Sequence, residues 1–181
     1  MLGAMAKLVL TVVGDDRAGL VQSLADVVTA HGGNWETSEL AELAGAFAGI
    51  VLVSVPDGRV EELTAALDGL DGMMQVVLHA GNATVERSAG RRITFTVLGN
   101  DRPGIVKDVT TALTRKGLTI DLFSSRTREA PMTGGTLFEA SLAARVPDDV
   151  DEAGVVEELE RLATEMQVDI AFTDEGPGHP E

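Results

Sequence analysis

The chain has 181 residues, no cysteine and a formal net charge of −15. The missing cysteines exclude disulfides, thiolate metal sites and thiol catalysis, and they are compatible with a reducing cytoplasm, where we expect the protein to act. No apolar run approaches the roughly 18 to 20 residues that a membrane span needs. The N-terminal segment also lacks the basic-then-apolar layout of a signal peptide.

The distribution of charge argues against direct binding of nucleic acid. Residues 1–85 carry three basic and eleven acidic side chains, and residues 86–181 carry eleven basic and eighteen acidic ones. Neither half has the positive balance that contact with a phosphate backbone usually demands. Aromatic residues make up 3% of the chain, so a base-stacking sheet surface is not expected either.

The first half of the chain predicts the order strand, helix, strand, strand, helix, strand. β-Branched residues mark the strands, apolar residues at spacings of three and four mark the helices, and Gly32-Gly33 ends the first helix. The predicted strands are Lys7–Val13, Trp35–Glu42, Phe47–Val55 and Met74–His79, and the predicted helices extend from Leu20 to His31 and from Val60 to Leu70.

The second half predicts the same order of elements. Its strands are Arg92–Leu98, Leu118–Arg126, Leu137–Val146 and Val168–Phe172, and the inward faces of its helices extend from Ile105 to Leu113 and from Val155 to Met166. We expect a first domain at residues 1–82, a linker at 83–90, a second domain at 91–174 and a disordered tail at 175–181.

A sequence repeat supports this division. At a constant offset of 85, identical residues fall at Thr11/Thr96, Val12/Val97, Gly14/Gly99, Asp16/Asp101, Arg17/Arg102, Gly19/Gly104, Val21/Val106 and Gly32/Gly117. Two copies of a βαββαβ unit predict an α+β fold with two ferredoxin-like domains. Each domain has an antiparallel sheet with both helices on one face. The other sheet face is left open, and we expect the two units to pair with each other.

The identities concentrate in the turn between the first strand and the first helix of each copy. In the second copy we expect Pro103 to be the first helical residue and Asp101 to cap the helix. Gly99 is expected to permit a sharp bend of the strand end, and Gly104 the close approach of another backbone. Such a turn presents an outward helix N-terminus that suits a carboxylate or phosphate. A purely structural turn explains the same residues equally well.

The segments GDDRAGLV at 14–21 and GNDRPGIV at 99–106, duplicated on a βαββαβ order, resemble the ACT domain, a small amino-acid-sensing module. The segment Ala130–Phe138 further resembles the two-ACT-domain glycine cleavage system transcriptional repressors. The resemblance implies that a small amino acid, glycine or serine above all, binds at the interface between paired ACT units.

The candidate ligand-binding residues follow from that resemblance. They are Asn100, Asp101, Pro103, Gly104 and Ile105 in the second copy, and Asp15, Asp16, Ala18, Gly19 and Leu20 in the first. Backbone N–H groups after Gly19 or Gly104 would bind the ligand carboxylate, and Asn100 or an aspartate its ammonium. Asp15 stands where the second copy has Asn100, and its charge repels a carboxylate, which favours the second copy.

We expect a non-enzymatic regulator, because no catalytic constellation, cofactor motif or metal-ligand spacing is present. Its expected partners are an amino acid, a second copy of the chain in a homodimer, and a regulated protein. A basic DNA-binding regulator would suit the last role. The alternative is an interaction module of tandem ACT domains that binds no ligand.

Overall fold

Each half of the chain folds into a four-stranded antiparallel sheet with two helices. The computed structural model describes residues 4–80, 90–130 and 134–173. The chain divides into two units, Met1–Val85 (unit 1) and Glu86–Glu181 (unit 2). The predicted domain limits remain a prediction, since residues 81–89 and 174–181, at or next to which these limits fall, lie outside the described residues.

In unit 1 every predicted strand and helix is present. The elements are β1 (Met5–Asp15), α1 (Leu20–Ala30), β2 (Asn34–Leu43), β3 (Ala46–Pro56), α2 (Val60–Asp68) and β4 (Gln75–Ala80), with a short 3₁₀ turn at Asp57–Arg59 before α2. Gly33 N–H donates to the Val28 carbonyl at 2.9 Å, which ends α1 at the glycine pair as predicted.

Unit 2 repeats the order. Its elements are β5 (Arg91–Asn100), α3 (Ile105–Arg115), β6 (Thr119–Glu129), β7 (Thr136–Val146), α4 (Glu152–Met166) and β8 (Val168–Thr173). Asp151 begins α4: its carboxylate accepts from the N–H groups of Ala153 and Gly154, at 3.3 Å each. The sequence predicted no cap for this helix, so the capping role of Asp151 is a finding of the structure.

The strand orders are β2-β3-β1-β4 and β6-β7-β5-β8, so the first and third strands of each unit are central. Side chains alternate between the two faces of each sheet, and those on one face form a core with the two helices of the unit. This confirms the predicted α+β fold with helices on one face. The core of unit 1 includes Leu10, Val53 and Leu24, and that of unit 2 includes Phe95, Leu142 and Leu159.

The open faces of the two sheets differ in chemistry. In unit 1, Val13, Ile50 and Val77 lie on the face away from the helices and are 45%, 50% and 54% exposed. In unit 2 the registers put Leu98, Ser141 and Ala171 at the corresponding places. The open face of unit 1 is therefore the more apolar of the two.

Both units carry a β-bulge at the same place. Glu36 in β2 and Asp121 in β6 are extra residues without a cross-strand partner in the register. Lys7 lies 3.3 Å from the Glu36 carboxylate, and Arg145 lies 2.6 Å from that of Asp121. Each bulge therefore presents an acidic side chain to a basic one on another strand.

Candidate functional site

The repeated turn occupies the same place in both units. In unit 1 it connects the end of β1 at Asp15 with the start of α1 at Leu20, and in unit 2 it connects Asn100 with Ile105. The Asp16 N–H donates to the Gly45 carbonyl and the Asp101 N–H to the Thr136 carbonyl, both at 2.8 Å. These bonds fix each turn beside the connection between the second and third strands of its own unit.

The helix starts differ from the prediction. Gly19 and Gly104 are the residues that precede the helices, with φ of 91° and 88°, and neither helix start has a side-chain cap. The predicted capping by Asp101 is therefore wrong, and Pro103 is not the first helical residue. In each unit a glycine in the left-handed conformation leads the chain into the helix, because a residue with a side chain is strained at this φ.

The two glycines of each turn also exchange their predicted roles. A methyl group on Gly99 would collide with the Val168 side chain, and one on Gly14 would lie 2.9 Å from the Met73 carbonyl oxygen. These glycines therefore permit a close approach rather than a bend. A methyl group on Gly19 or Gly104 would meet nothing within 4 Å, so these residues are needed for their backbone conformation instead.

Most candidate residues lie at the surface. Asp15, Asp16, Ala18 and Gly19 are exposed in unit 1, and Asn100, Asp101, Pro103 and Gly104 are exposed in unit 2. Leu20 and Ile105 differ, because these residues are only 3% and 4% exposed and belong to the two cores. These two positions therefore offer no side chain to a ligand.

The start of α3 has free donors in the part of the chain that the structure describes. The Ile105 N–H donates to the Arg102 carbonyl at 3.3 Å, and the Asp108 N–H to the Gly104 carbonyl at 3.0 Å. Between them, the N–H groups of Val106 and Lys107 form no backbone hydrogen bond with another described residue. Helix N-termini of this kind attract carboxylates and phosphates.

The structure adds a cavity that the sequence analysis did not predict. It has a volume of about 430 Å³, lies between α3 and α4, and includes Arg102 of the turn together with Glu158 and Arg161. We call it the α3–α4 groove. Glu158 lines this groove and pairs with Arg161 at 2.6 Å.

Other conspicuous residues have structural roles. Trp35 packs against the core of unit 1, and the His31 ring lies 2.8 Å from the Val27 carbonyl at the end of α1. Within residues 4–80, 90–130 and 134–173, no group of three or more His, Asp or Glu side chains is arranged to hold a metal ion. None of the helices described there is long and apolar enough to span a membrane.

Comparison with known proteins identifies the fold. Family models described as ACT domain match residues 6–80 and 93–164. The glycine cleavage system transcriptional repressor of Escherichia coli (strain K12) is 26% identical over 167 residues, which are 91% of this chain and 88% of that protein. The protein of the same name from Shigella flexneri matches to the same extent.

Solved structures also match along nearly the whole chain. An unknown protein from Galdieria sulphuraria is 31% identical with a TM-score of 0.83, over 93% of this chain and 98% of that one. A structure assigned provisionally as a glycine cleavage system transcriptional repressor is 18% identical with a TM-score of 0.68, over 94% and 98% of the two chains, and shows the shared fold. The chain therefore belongs to the ACT-domain family and carries two ACT domains in tandem.

Proposed function

We propose that the chain is a non-enzymatic regulator of the cytoplasm that binds a small amino acid, glycine or serine, at its repeated turns. The observation that carries the proposal is the uncapped helix start behind a left-handed glycine in both units. The full-length similarity to glycine cleavage system transcriptional repressors supports a role in regulation and the preference for a small ligand.

The turn of unit 2 has the chemistry that an amino acid requires. The N–H groups of Val106 and Lys107 point out of the helix start and suit the ligand carboxylate. The exposed Asn100 side chain offers a carbonyl oxygen to the ammonium. A small ligand fits this proposal, since the groups that would hold it are backbone amides and one short side chain.

Unit 1 is the weaker site in this proposal. Asp15 replaces Asn100 and brings a full negative charge to a place where a carboxylate has to bind. Asp15 has a carboxylate where Asn100 has an amide, and both side chains are exposed. Replacing either residue with the other therefore changes the charge of the turn without disturbing a core.

A thermal-shift screen with the twenty amino acids tests the proposal, followed by calorimetry on any that stabilise the chain. A ligand at 100 times its Kd stabilises the native state by about 2.7 kcal/mol, so glycine or serine is expected to raise the melting temperature. Asn100→Asp should abolish most of the effect, and Asp15→Asn should preserve or increase it. If no amino acid produces a shift, the chain is an interaction module without a ligand.

The regulated partner in this proposal is a basic protein. A net charge of −15, shared between both halves, favours association with a positive surface and opposes contact with DNA itself. Control of transcription would then be indirect, through a DNA-binding partner. Salt-dependent co-purification with a basic regulator supports this part, and specific DNA binding by the isolated chain contradicts it.

We also propose that the chain forms a homodimer. The exposed Val13, Ile50 and Val77 on the open face of unit 1 favour association, because apolar side chains gathered on a sheet face are stabilised by burial. Sedimentation analysis of the native chain and of Ile50→Thr/Val77→Thr tests this. A native chain that sediments as a monomer at micromolar concentration contradicts it.

A further inference from the structure

The α3–α4 groove concentrates positive charge on a strongly acidic chain. Its charged lining consists of four cations and two carboxylates, Arg102, Lys107, Arg115, Arg161, Asp108 and Glu158. The net charge of the groove is thus +2, although unit 2 and the whole chain both have a negative net charge. A local excess of this sign attracts anions that the rest of the surface repels.

Two of the cations are already paired within the groove. Arg102 Nη2 lies 2.7 Å from Asp108 Oδ2, and Arg161 Nη2 lies 2.6 Å from Glu158 Oε1. The side chains of Lys107 and Arg115 form no ion pair or hydrogen bond with any other described residue, although the charge of Arg115 acts on Glu158. The excess charge therefore resides on two side chains that are available to a ligand.

The electrostatics of Glu158 agree with this description. The hydrogen bond from Arg161 lowers the pKa of Glu158 below its usual 4.5, against desolvation, which raises it. The charges of Arg161, Lys116 and Arg115 lower the pKa further. Cations from both helices therefore act together on an anionic group in the groove.

This charge is not part of the repeat. At the offset of 85, Lys107 corresponds to Gln22, Asp108 to Ser23 and Arg115 to Ala30. Arg17 corresponds to Arg102, but its guanidinium donates to the Gly72 carbonyl at 2.9 Å. The cationic groove thus distinguishes unit 2 from unit 1, and the shared fold does not require it.

We propose that the α3–α4 groove binds a small ligand with more than one phosphate group. One phosphate carries a charge of roughly −1.5 to −2 at neutral pH, which matches the two unpaired cations, whereas a zwitterionic amino acid has no net charge to offer. Lys107 and Arg115 are eight residues apart on α3, about 12 Å along the helix, so a ligand with several phosphates is better suited than a single phosphate to contact both side chains.

The size and the remaining lining suit this class of ligand. A volume of about 430 Å³ lies within the range of small-molecule sites, which is roughly 300 to 1,000 Å³. Arginine binds phosphate oxygens with two parallel N–H groups, and the groove has three arginines. The buried Ala112 and Leu162 form an apolar part of its lining. The proposal does not depend on amino-acid binding at the turns.

Calorimetry on the full chain tests the proposal, with inorganic phosphate, pyrophosphate and tripolyphosphate as probes. We expect affinity to increase in that order, one site per chain, and weaker binding as salt increases. ATP and ADP distinguish the source: tighter binding than the inorganic probes identifies a nucleotide, and equal binding identifies an inorganic polyphosphate. No heat from any probe at millimolar concentration overturns the proposal.

A matched pair of double variants locates the site. Lys107→Gln/Arg115→Gln removes the two unpaired cations and should weaken tripolyphosphate binding by at least about tenfold. Arg59→Gln/Arg128→Gln removes the same charge from exposed side chains outside the groove and should leave the affinity within about twofold. Equal losses in the two variants indicate attraction by overall charge and overturn the assignment.

Two further measurements test the charge balance of the groove and the class of its ligand. Asp108→Asn should increase the affinity for tripolyphosphate several-fold, since it releases Arg102 from its carboxylate partner. An aspartate-rich peptide should bind no more tightly than inorganic phosphate. If the peptide binds tightly and tripolyphosphate does not displace it, the groove recognises an acidic protein segment, and the proposal is wrong.

Discussion

Arg17 and Arg102 occupy the same position of the repeated turn but contact different parts of their units. Arg17 Nη2 donates to the Gly72 carbonyl at 2.9 Å, which links the turn to the segment before β4. Arg102 Nη2 instead pairs with Asp108 Oδ2 at 2.7 Å, on the helix that follows the turn. An identical sequence motif is thus anchored to a neighbouring loop in one unit and to its own helix in the other.

Neither arginine is expected to matter much for stability. Both contacts are at the surface, and exposed ion pairs or hydrogen bonds of this kind contribute about 0 to 1 kcal/mol. Arg17→Gln and Arg102→Gln should each lower the free energy of unfolding by less than about 1 kcal/mol. Urea unfolding measures this, with the fluorescence of the single Trp35 reporting on unit 1 and circular dichroism on both units. A loss of several kcal/mol would assign the arginines a structural role.

Gly104 should resist substitution because of its backbone rather than its surroundings. Its φ of 88° costs an ordinary residue roughly 1 to 2 kcal/mol. Gly104→Ala should therefore lower the free energy of unfolding by about that amount, and Gly104→Asn by less. Gly154→Ala is the control within the same unit: it lies in α4 without a positive φ, and we expect a gain of up to about 1 kcal/mol.

Gly99 should resist substitution for the opposite reason. A methyl group there collides with the Val168 side chain on β8, and overpacking of this kind costs about 1 to 3 kcal/mol. Gly99→Ala combined with Val168→Ala should cost less than the sum of the two single changes. Urea unfolding of the three variants measures the coupling, and strict additivity would contradict the close approach.

Asp151 should stabilise α4 as its N-terminal cap. Its carboxylate accepts from two backbone N–H groups at 3.3 Å, and loss of such a cap costs about 1 kcal/mol. Asp151→Ala should show this loss in urea unfolding, while Asp151→Asn should keep most of the stability. Asp149→Ala removes an equal charge from the same acidic stretch and should have little effect, since Asp149 caps no helix.

Acid should weaken the ion pairs of Glu139. The hydrogen bond from Arg126 lowers the pKa of Glu139 below its usual 4.5, and the charges of Arg126 and Arg128 add to this against desolvation. Because the pKa of Glu139 is lowered in the folded state, the stabilisation by its ion pairs is fully present above the pKa of the unfolded chain, near 4.5. It is then lost as pH falls through the folded value.

Glu139→Gln tests this pH dependence. The variant should be less stable than the native chain at pH 7, and the difference should shrink as the pH falls below about 4.5 and the native carboxylate becomes protonated. Urea unfolding at several pH values measures the two curves. Glu129→Gln makes the same charge change on the neighbouring β6 and serves as the control. A difference that stays constant with pH would mean that the ion pairs are not its cause.

The sequence predicted the elements well because their signals are local. Gly32 and Gly33 ended α1 as expected, and alternation along β1 and β3 placed the strands that form the centre of the sheet. The helix start was misjudged, because proline is a general marker of first helical residues. Ala18 in place of Pro103 was the available signal that the shared glycine, and not the proline, makes the turn.

The remaining features depend on contacts between distant residues. The role of Gly99 follows from Val168, 69 positions later, and no local pattern connects them. The α3–α4 groove likewise needs the packing of two helices against one sheet before Arg115 and Arg161 share a cavity. The turn residues could be found from the repeat, whereas the groove could not, because its cations have no counterparts in unit 1 apart from Arg17.

The equivalent bulges in β2 and β6 give each of these strands one residue that can be removed without changing the side on which the others lie. Glu36 and Asp121 are each one residue more than a regular strand would have at that place. Trp35 and Ile120 therefore face the cores, although the residue two positions after each of them faces the open side of the sheet. Deleting either acidic residue would leave a regular strand with every side chain on its present side. One deletion elsewhere in β2 or β6 would invert part of the strand, so a scan of single deletions should find these two positions the most permissive.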